Sequence, residues 1–428
     1  MDSRFSAFEL DSCNARSGAA AGISALPRRG TARPVVAIFG EWNTANLGDR
    51  AIHHEVLRFF AECGWHTSSF GLGSLTRIDA HKAQGMPPGT AAGKNAAQRL
   101  SPVTKRVLRG VRQRCRMPAL LHSLNRVQAI AVGGGALLSD ANLHFPQSLA
   151  VLAASAKLLN KPVFCLGCSA EGKWSVQGEK KIRRFLAACA MIAARDDVTA
   201  ERILGVLHRP VPVFGDFCLT EAGLSAEKFR EHAPDGIAIN VCRVPAPWDA
   251  AQERYEHTLV AMANRFLRGA AGSGPRTVRI FTTGTPDDVL PAQRVFSRLA
   301  GGRVELHVPR DLEQLRGVLR NSALVLASRL HGAVLALAEN VPVVGFSPAP
   351  KLNNFLSTMG LEQYSFGFGD HRDLARCFES ADYAALFARQ RRLLLQAPMW
   401  AGRAMVRRAL EAGACAPGKP ARPEIECT

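Results

Sequence analysis

Short apolar runs alternate with amphipathic stretches along most of the chain, and this alternation predicts parallel α/β structure. The first run, Val35–Gly40, is followed by a polar loop and a helical pattern over Arg50–Cys63, for which Asp49 is the expected N-cap. The same order of strand, loop and helix returns up to about residue 220 and starts again at Gly236. Strands that alternate with helices of about 10–15 residues are typical of doubly wound parallel sheets.

At 428 residues the chain is too long for one core, and the pattern divides it into two domains. We predict one Rossmann-like domain over residues 34–220, a second over 235–385, and a helix over 386–412 that packs back across both. Residues 1–33 and 413–428 lack periodicity and are predicted to be disordered. Since open parallel sheets bind ligands at the carboxyl ends of their strands, the site is expected in the cleft between the domains.

Residues 324–351, LVLASRLHGAVLALAENVPVVGFSPAPK, have the pattern of strand, polar turn, helix and strand. Ser328 is the expected N-cap of a helix over Leu330–Glu339, and the turn places Arg329 and His331 beside its first unpaired N–H groups. A helix N-terminus favours bound phosphate or carboxylate and favours proton donation from an imidazole placed there. Either these residues form an anion site or they are a solvated arginine and an ordinary surface histidine. The parallel-sheet setting favours the anion site.

Other strand ends carry further candidates. Arg195 ends a predicted strand, where open parallel sheets place ligand-binding residues. Asn46 and Asp49 either bind a ligand or organise their turn. Three glycines follow another buried strand and either let the backbone approach a ligand or form a tight turn. They are Gly133, Gly134 and Gly135.

The net charge of +18 is large and comes mostly from arginine. It suits nucleic acid, an anionic membrane surface or small anionic substrates, and it also fits a genome of high GC content. The aromatic content of 7% and the absence of a nucleic-acid-binding motif disfavour a non-catalytic nucleic-acid-binding protein. A basic helix over residues 105–116 either lies on an anionic bilayer or is the solvated face of an ordinary helix.

The cysteine pattern does not favour a metal site. Only Cys165 and Cys168 of the 11 cysteines form a CxxC pair, and no second pair accompanies it, so zinc is not expected. Reduced core thiols, a poor signal-peptide pattern and the lack of a membrane-spanning stretch indicate a cytoplasmic protein. Peripheral contact at the inner face of the membrane stays open through the basic helix.

Four segments resemble, in order, those of the polysaccharide pyruvyl transferase family. They are FGEWNTANLGDRAI, where the family has a Gly-x-x-Asn-x-Gly-Asp type of turn, and GGGALLSD, ARDDVTAERI and SRLHGAVLALAENVPVVGFSPAPK. The resemblance extends from Val35 to Leu361. It implies a GT-B-like fold of two domains. It also implies transfer of the enolpyruvyl unit of phosphoenolpyruvate to a sugar of a polysaccharide or of its lipid-linked oligosaccharide precursor, as a cyclic ketal and with release of phosphate.

Carried over to this sequence, the resemblance implies that Arg329 and His331 form the donor-site pair and that Arg195 is a further anion ligand. Lys351 is a weaker candidate for the same pocket, which also takes in Ser328 and the three glycines. Guanidinium groups suit a substrate with two anionic groups, and His331 is the expected acid that protonates C3 of the donor.

Closure of the ketal by a second hydroxyl requires a base. Candidates for this base or for contacts with the acceptor are Asn46, Asp49, Asp140 and His144. No step requires a metal or other cofactor, since phosphoenolpyruvate is a substrate.

Two segments, CLGCSAEG and GDFCLT, depart from the family's usual pattern, which leaves the acceptor sugar open. The alternative function is a nucleotide-sugar glycosyltransferase of the same architecture in exopolysaccharide synthesis. Such an enzyme releases a nucleotide, whereas a pyruvyl transferase consumes phosphoenolpyruvate, so the donor separates the two.

Overall fold

The computed structural model describes residues 33–42, 44–78, 116–141, 144–225, 236–244, 249–268, 276–299, 303–367, 374 and 382–412. These residues belong to one compact unit that begins at Arg33. The predictions for residues 1–32, 105–115 and 413–428 lie outside the described residues.

Six strands form the sheet of the N-terminal domain: β1 (Val35–Gly40), β2 (His66–Gly71), β3 (Thr76–Arg77), β4 (Ala129–Ser139), β5 (Val163–Glu171) and β6 (Met191–Ala194). Their order in the sheet is β3-β2-β1-β4-β5-β6, and only β3 runs antiparallel to its neighbour. The helices of this half are α1 (Leu47–Glu62), α2 (His144–Leu158), α3 (Val176–Ala188), α4 (Asp197–Leu207) and α5 (Glu221–Ser225). Residues 116–125 are also helical.

The C-terminal domain repeats this plan with β7 (Gly236–Asn240), β8 (Thr277–Phe281), β9 (Arg303–His307), β10 (Leu324–Ala327), β11 (Val343–Phe346) and β12 (Ser365–Phe366). The order is β12-β11-β10-β7-β8-β9, and every pair is parallel. Its helices are α6 (Asp249–Leu267), α7 (Val289–Ser297), α8 (Leu312–Arg320), α9 (Leu330–Ala338) and α10 (Pro350–Thr358). Both sheets have the Rossmann strand order, so the predicted fold class is confirmed.

A single buried apolar cluster joins the two domains. It includes Ile38 and Phe164 beneath the first sheet and Val325 and Leu335 beneath the second. Separate clusters cover the opposite face of each sheet. The strands are therefore buried on both faces, which explains why they appear in the sequence as continuous apolar runs.

The last described segment, residues 382–412, forms two helices, α11 (Tyr383–Leu395) and α12 (Met399–Glu411), so the predicted single helix is wrong. Pro398 separates them, because a proline lacks the N–H that a continuous helix needs and restricts the residue before it. On α11, the side chain of Gln390 bonds both backbone groups of Val343 in the C-terminal sheet. On α12, the Leu410 carbonyl accepts from Trp65 in the N-terminal domain at 3.4 Å.

The first loop and β4 also differ from the predictions. Asn46, not Asp49, caps α1, because its Oδ1 accepts a hydrogen bond from the Gly48 N–H at 3.0 Å. The predicted glycine turn is instead the middle of β4, where Gly134 and Gly135 have φ of 71° and 80°. A Cβ at Gly134 would lie 2.0 Å from Ile52 Cγ2, so this glycine lets α1 pack directly on the sheet.

Candidate functional site

The N-termini of α1 and α9 meet where the two domains face each other. Each helix follows a strand, β1 or β10, at the position where the strand order of its sheet reverses, which is the usual ligand-binding position in open α/β sheets. The Leu47 N–H donates to the Thr283 carbonyl across the interface at 2.9 Å. A Cβ at Gly48 would lie only 2.2 Å from Nδ1 of His331, so the imidazole packs directly on the backbone of α1.

His331 also faces the buried carboxylate of Asp216. Their Nε2 and Oδ2 atoms are 3.5 Å apart, an electrostatic contact longer than an ordinary hydrogen bond, and the two residues are 8% and 1% exposed. Burial acts to raise the pKa of Asp216, but His331 and Arg195 outweigh it and hold that pKa well below the ordinary aspartate range. Asp216 is therefore an ionised carboxylate beside the imidazole, and we call His331 and Asp216 the dyad.

Arg195 lies within the same cluster. Its guanidinium is 3.7 Å from Glu171, 3.8 Å from Asp196 and 4.0 Å from Asp216. Asp196 is also the N-cap of α4, since its Oδ1 accepts from the Thr199 N–H at 2.8 Å. Arg195 is 3% exposed, so its charge is balanced by carboxylates of its own chain.

Lys351, in the first turn of α10, forms an ion pair with Glu171 at the end of β5. This pair joins the C-terminal to the N-terminal domain, and Glu171 thereby contacts two of the predicted anion-binding cations. The side chain of Lys351 is 46% exposed and that of Glu171 is 20% exposed. The pair is therefore accessible from solvent.

Arg329 lies beside the dyad but is engaged by Asp288. Its Nε and Nη2 atoms donate to the two Asp288 oxygens at 3.0 and 2.6 Å, and Asp288 is fully buried. Although burial acts to lower the pKa of Arg329, the pair with Asp288 raises it. The Arg329 backbone N–H donates to Oδ1 of Asn240 at 2.8 Å. The predicted turn is therefore built, but this arginine is held by the protein itself.

Ser328 is not the N-cap of α9. Its hydroxyl donates to the Phe346 carbonyl at 2.8 Å, which joins β10 to β11, and Arg329 occupies the cap position without a side-chain cap bond. The first N–H groups of α9 are thus not satisfied by a capping side chain, as an anion site at this end requires.

The loop after β1 contributes two carboxyl groups. The Asn46 amide donates to Oδ2 of Asp49 at 3.0 Å. Burial raises the pKa of Asp49 above its ordinary value, against the opposing charges of His331 and Lys351. The pKa of Glu41 is also raised, first by burial and then by the Asp49 charge. Carboxyl groups with raised pKa values are suited to proton transfer near neutral pH.

The remaining candidates lie apart from these contacts. Oδ2 of Asp140 accepts from the Ser175 N–H at 2.7 Å at the start of α3, a structural role. His144 is the first residue of α2 and is half-buried. The ideal Cβ of Gly135 has no neighbour within 4 Å, whereas those of Gly133 and Gly134 meet core side chains.

Buried polar atoms without a hydrogen bond are concentrated in the same cluster. Several buried polar atoms lack a hydrogen-bond partner among the described residues, and a group of them converges here: His331 Nε2, Asp216 Oδ2, Arg195 Nε and Glu171 Oε1. Since buried polar atoms in proteins are almost always paired, these long contacts make the cluster the main candidate for a ligand site. The six described cysteines, including Cys165 and Cys168, are buried and unbridged. In the described part of the chain no group of His, Cys, Asp or Glu has a metal-binding arrangement.

Sequence reasoning missed Asp216, Glu171, Asp288 and Asn240. Asn240 and Glu171 end β7 and β5, the position that had singled out Arg195. Asp216 follows the apolar segment that pairs with β6 at Val213, so the same signal applied to it. Nothing local in the sequence singles out Asp288, because its partner Arg329 is 41 residues away.

Solved structures of known proteins share the fold. A Listeria monocytogenes protein described as a UDP-N-acetylglucosamine 2-epimerase has a TM-score of 0.53 at 11% identity, covering 90% of this chain and 96% of its own. The UDP-N-acetylglucosamine 2-epimerase of Neisseria meningitidis, bound to UDP-GlcNAc, has a TM-score of 0.51 at 12% identity, with 88% and 99% covered. MnaA of S. aureus, solved with UDP, has a TM-score of 0.50 at 12% identity, with 87% and 95% covered. At these identities the likeness shows the fold alone.

Among curated proteins no sequence matches this chain. The family model for polysaccharide pyruvyl transferase matches residues 46–350, from the Asn46 cap of α1 to the first residue of α10. The matched region contains Arg195, Asp216 and His331 and accounts for most of the chain, so the protein belongs to the polysaccharide pyruvyl transferase family.

Proposed function

We propose that this enzyme takes the enolpyruvyl unit from phosphoenolpyruvate and transfers it to a sugar as a cyclic ketal, releasing phosphate. The observation that carries the donor assignment is the convergence of His331, Arg195 and Lys351 around unpaired buried polar atoms at the interface of the two domains. The donor is a small molecule with a carboxylate and a phosphate, and cations drawn from both domains suit it.

Donor binding exchanges one anion for another. Glu171 is paired with Lys351 and lies 3.7 Å from Arg195, so it occupies the position between two cations that a donor carboxylate or phosphate requires. In the proposed complex the donor displaces Glu171 from these cations. The uncapped N-terminus of α9 contributes backbone N–H groups to the same anion.

His331 acts as the general acid. It protonates C3 of the donor, which leaves C2 electrophilic, and the ionised Asp216 at 3.5 Å stabilises the positive charge of the imidazolium before transfer. Gly48 fixes the ring from the other side. The first sugar hydroxyl then attacks C2, and the bond between C2 and the phosphate oxygen breaks. The second hydroxyl closes the ketal. Of the two hydroxyl protons, one replaces the proton that His331 gave to C3 and the other leaves with the phosphate.

Asp49 is the base that we assign to a hydroxyl proton. Its raised pKa and its position at the start of α1, near His331 and Lys351, suit that role. Glu41 lies close enough to Asp49 that the Asp49 charge contributes to its raised pKa. It can accept a hydrogen bond from a sugar hydroxyl. The proposed acceptor is a sugar of a polysaccharide or of its lipid-linked precursor, and the proposal includes no metal or other cofactor.

The location is also part of the proposal. We place the enzyme in the cytoplasm, where phosphoenolpyruvate is formed, with peripheral contact at the membrane that holds a lipid-linked acceptor. No helix in the described residues is long and apolar enough to cross a membrane.

Product analysis tests this function. Purified enzyme is incubated with phosphoenolpyruvate and a panel of free, nucleotide-linked and lipid-linked sugars, and the products are followed by phosphate release and by the NMR signal of a ketal methyl group. We expect both signals together with at least one acceptor. Turnover of a nucleotide sugar with no use of phosphoenolpyruvate would contradict the proposal.

A further inference from the structure

A cavity lies at the other end of α1 and α9, the helices whose N-termini meet at His331. We call it the rear pocket; its volume is about 1350 Å³. It is lined by the later turns of α1, by α5 and α8, by the end of α9 and by α12. Its residues on α1 run from Glu55 to Glu62, whereas Gly48 contacts His331. At 1.5 Å per residue this separates the rear pocket from the dyad by about 10–20 Å along the helix.

The charged side chains that line the rear pocket differ in exposure: most of the carboxylates are buried, and most of the guanidinium groups are more exposed. Glu55 and Glu339 have side chains that are 7% exposed, whereas Arg58 and Arg320, which pair with them, are 46% exposed. Arg316 bridges both glutamates at 3.9 and 3.3 Å and is 28% exposed. Only Glu62 and Glu221 among the lining acids are exposed, and Glu62 is paired with Arg407 at 2.8 Å. The accessible wall is therefore mainly cationic.

Arg403 adds a buried charge that forms no ion pair with a carboxylate among the described residues. It is 8% exposed and donates to the carbonyls of Asp216 and Leu219, while its Nε has no hydrogen-bond partner among the described residues. Burial lowers the pKa of Arg403 to about 10. Arg403 lines the pocket, and its buried guanidinium adds positive charge behind the wall, which favours a bound anion.

The same wall carries aromatic rings. Trp400 is half-buried, its indole N–H donates to the Leu394 carbonyl at 2.6 Å, and Arg403 lies over its ring at 5.3 Å. Phe59 and Phe217 complete the apolar side. Guanidinium groups next to an indole that is held by a hydrogen bond suit a ligand that has both phosphates and a planar base.

We propose that the rear pocket binds a nucleoside diphosphate or a molecule that contains one, independently of the catalytic cleft. The phosphates contact Arg316 and Arg320 beside the positive charge of Arg403, and the base stacks on Trp400. Because Arg403 also donates to the Asp216 carbonyl, one guanidinium joins this pocket to the residue that faces His331.

Calorimetric titration of the full-length protein tests the proposal, with ADP and inorganic pyrophosphate as probes. We expect saturable binding of ADP at one site, tighter than that of pyrophosphate. The double variant Arg316→Gln, Arg320→Gln should weaken ADP at least about tenfold, because each substitution removes a charge-assisted contact with phosphate. Arg303→Gln, an exposed arginine at the start of β9, is the matched control and should bind ADP as the wild type does.

A second variant keeps the test valid if loss of the glutamate pairs unfolds the double variant. Trp400→Phe leaves the arginines in place and should weaken ADP severalfold while leaving pyrophosphate unchanged. Three results would overturn the proposal: no saturable ADP binding at millimolar concentration, binding that neither variant weakens, or displacement of ADP by excess phosphoenolpyruvate, which would locate it in the cleft. Since the measurement is binding alone, its outcome is independent of the proposed reaction.

Discussion

Glu171→Gln should strengthen donor binding. In the structure Glu171 pairs with Lys351 and lies 3.7 Å from Arg195, and both cations are assigned to the donor. Glutamine is nearly isosteric, so the substitution removes one negative charge and little volume. The donor then no longer has to displace a carboxylate before it reaches the two cations.

The size of the effect follows from the two contacts. The Lys351 pair is half-exposed and contributes at most about 1 kcal/mol. The Arg195 contact at 3.7 Å has a gross Coulomb energy of about 4.5 kcal/mol at an effective dielectric constant of 20. Desolvation and the two other carboxylates near Arg195 offset most of that energy. We expect a net gain of about 1 kcal/mol, which corresponds to a donor Kd about fivefold lower.

The assay is direct titration of phosphoenolpyruvate into wild type and Glu171→Gln, with Glu179→Gln as the control for loss of a carboxylate on the exposed surface of the same domain. The control should bind the donor as the wild type does. A donor Kd that is unchanged or higher in Glu171→Gln would refute the reasoning, because Glu171 would then not compete with the donor for these cations.

Three further predictions concern Gly48, His53 and Asp216. Gly48→Ala introduces a methyl group 2.2 Å from the His331 ring and should lower kcat about 10²-fold, whereas Gly205→Ala, where a Cβ meets no atom within 4 Å, should leave steady-state activity unchanged. Burial lowers the pKa of His53 from 6.5 to about 4, so the unfolded state binds the proton first and stability falls as the pH drops below 6.5. Between pH 7.5 and 5, denaturant unfolding should show that the free energy of unfolding falls by about 2 kcal/mol. His53→Gln should remove this loss, whereas His54→Gln, at an exposed side chain, should not. Since the folded-state pKa of Asp216 is depressed, its stabilising contribution is present above the ordinary aspartate pKa and is lost in acid. Asp216→Asn should therefore reduce the fall in unfolding free energy at acid pH, and an unchanged fall would contradict this.

The fold could be predicted because its determinants are local. Each core strand is a short apolar run, and caps such as Asp311, which accepts from Gln314 N–H at 2.8 Å, are visible in the sequence. Ser328 was assigned wrongly because its hydroxyl bonds a carbonyl on β11, a contact that only the folded sheet creates. The break between α11 and α12 was predictable, since Pro398 stands in the sequence.

The spatial grouping of the candidate residues was predicted in part, whereas their roles stay predictions. His331, Arg195 and Lys351 do converge, since each follows a strand of a parallel sheet. Their partners were not predictable, because the identity of a carboxylate that meets a cation across two domains depends on how the domains pack. The bidentate hold of Asp288 on Arg329 lies within the C-terminal domain but joins segments 41 residues apart, and it changes the expected role of that arginine from a donor ligand to a support of the turn.

The role of His331 is the central claim, and acceptor-dependent phosphate release from phosphoenolpyruvate tests it most directly. Wild type, His331→Gln and the control His54→Gln are compared at equal enzyme concentration, with donor Kd measured in parallel. The account predicts that His331→Gln loses at least about 10²-fold in rate, the loss of a general acid, while its donor Kd and its unfolding free energy change far less. Phosphate release at the wild-type rate in His331→Gln would contradict it.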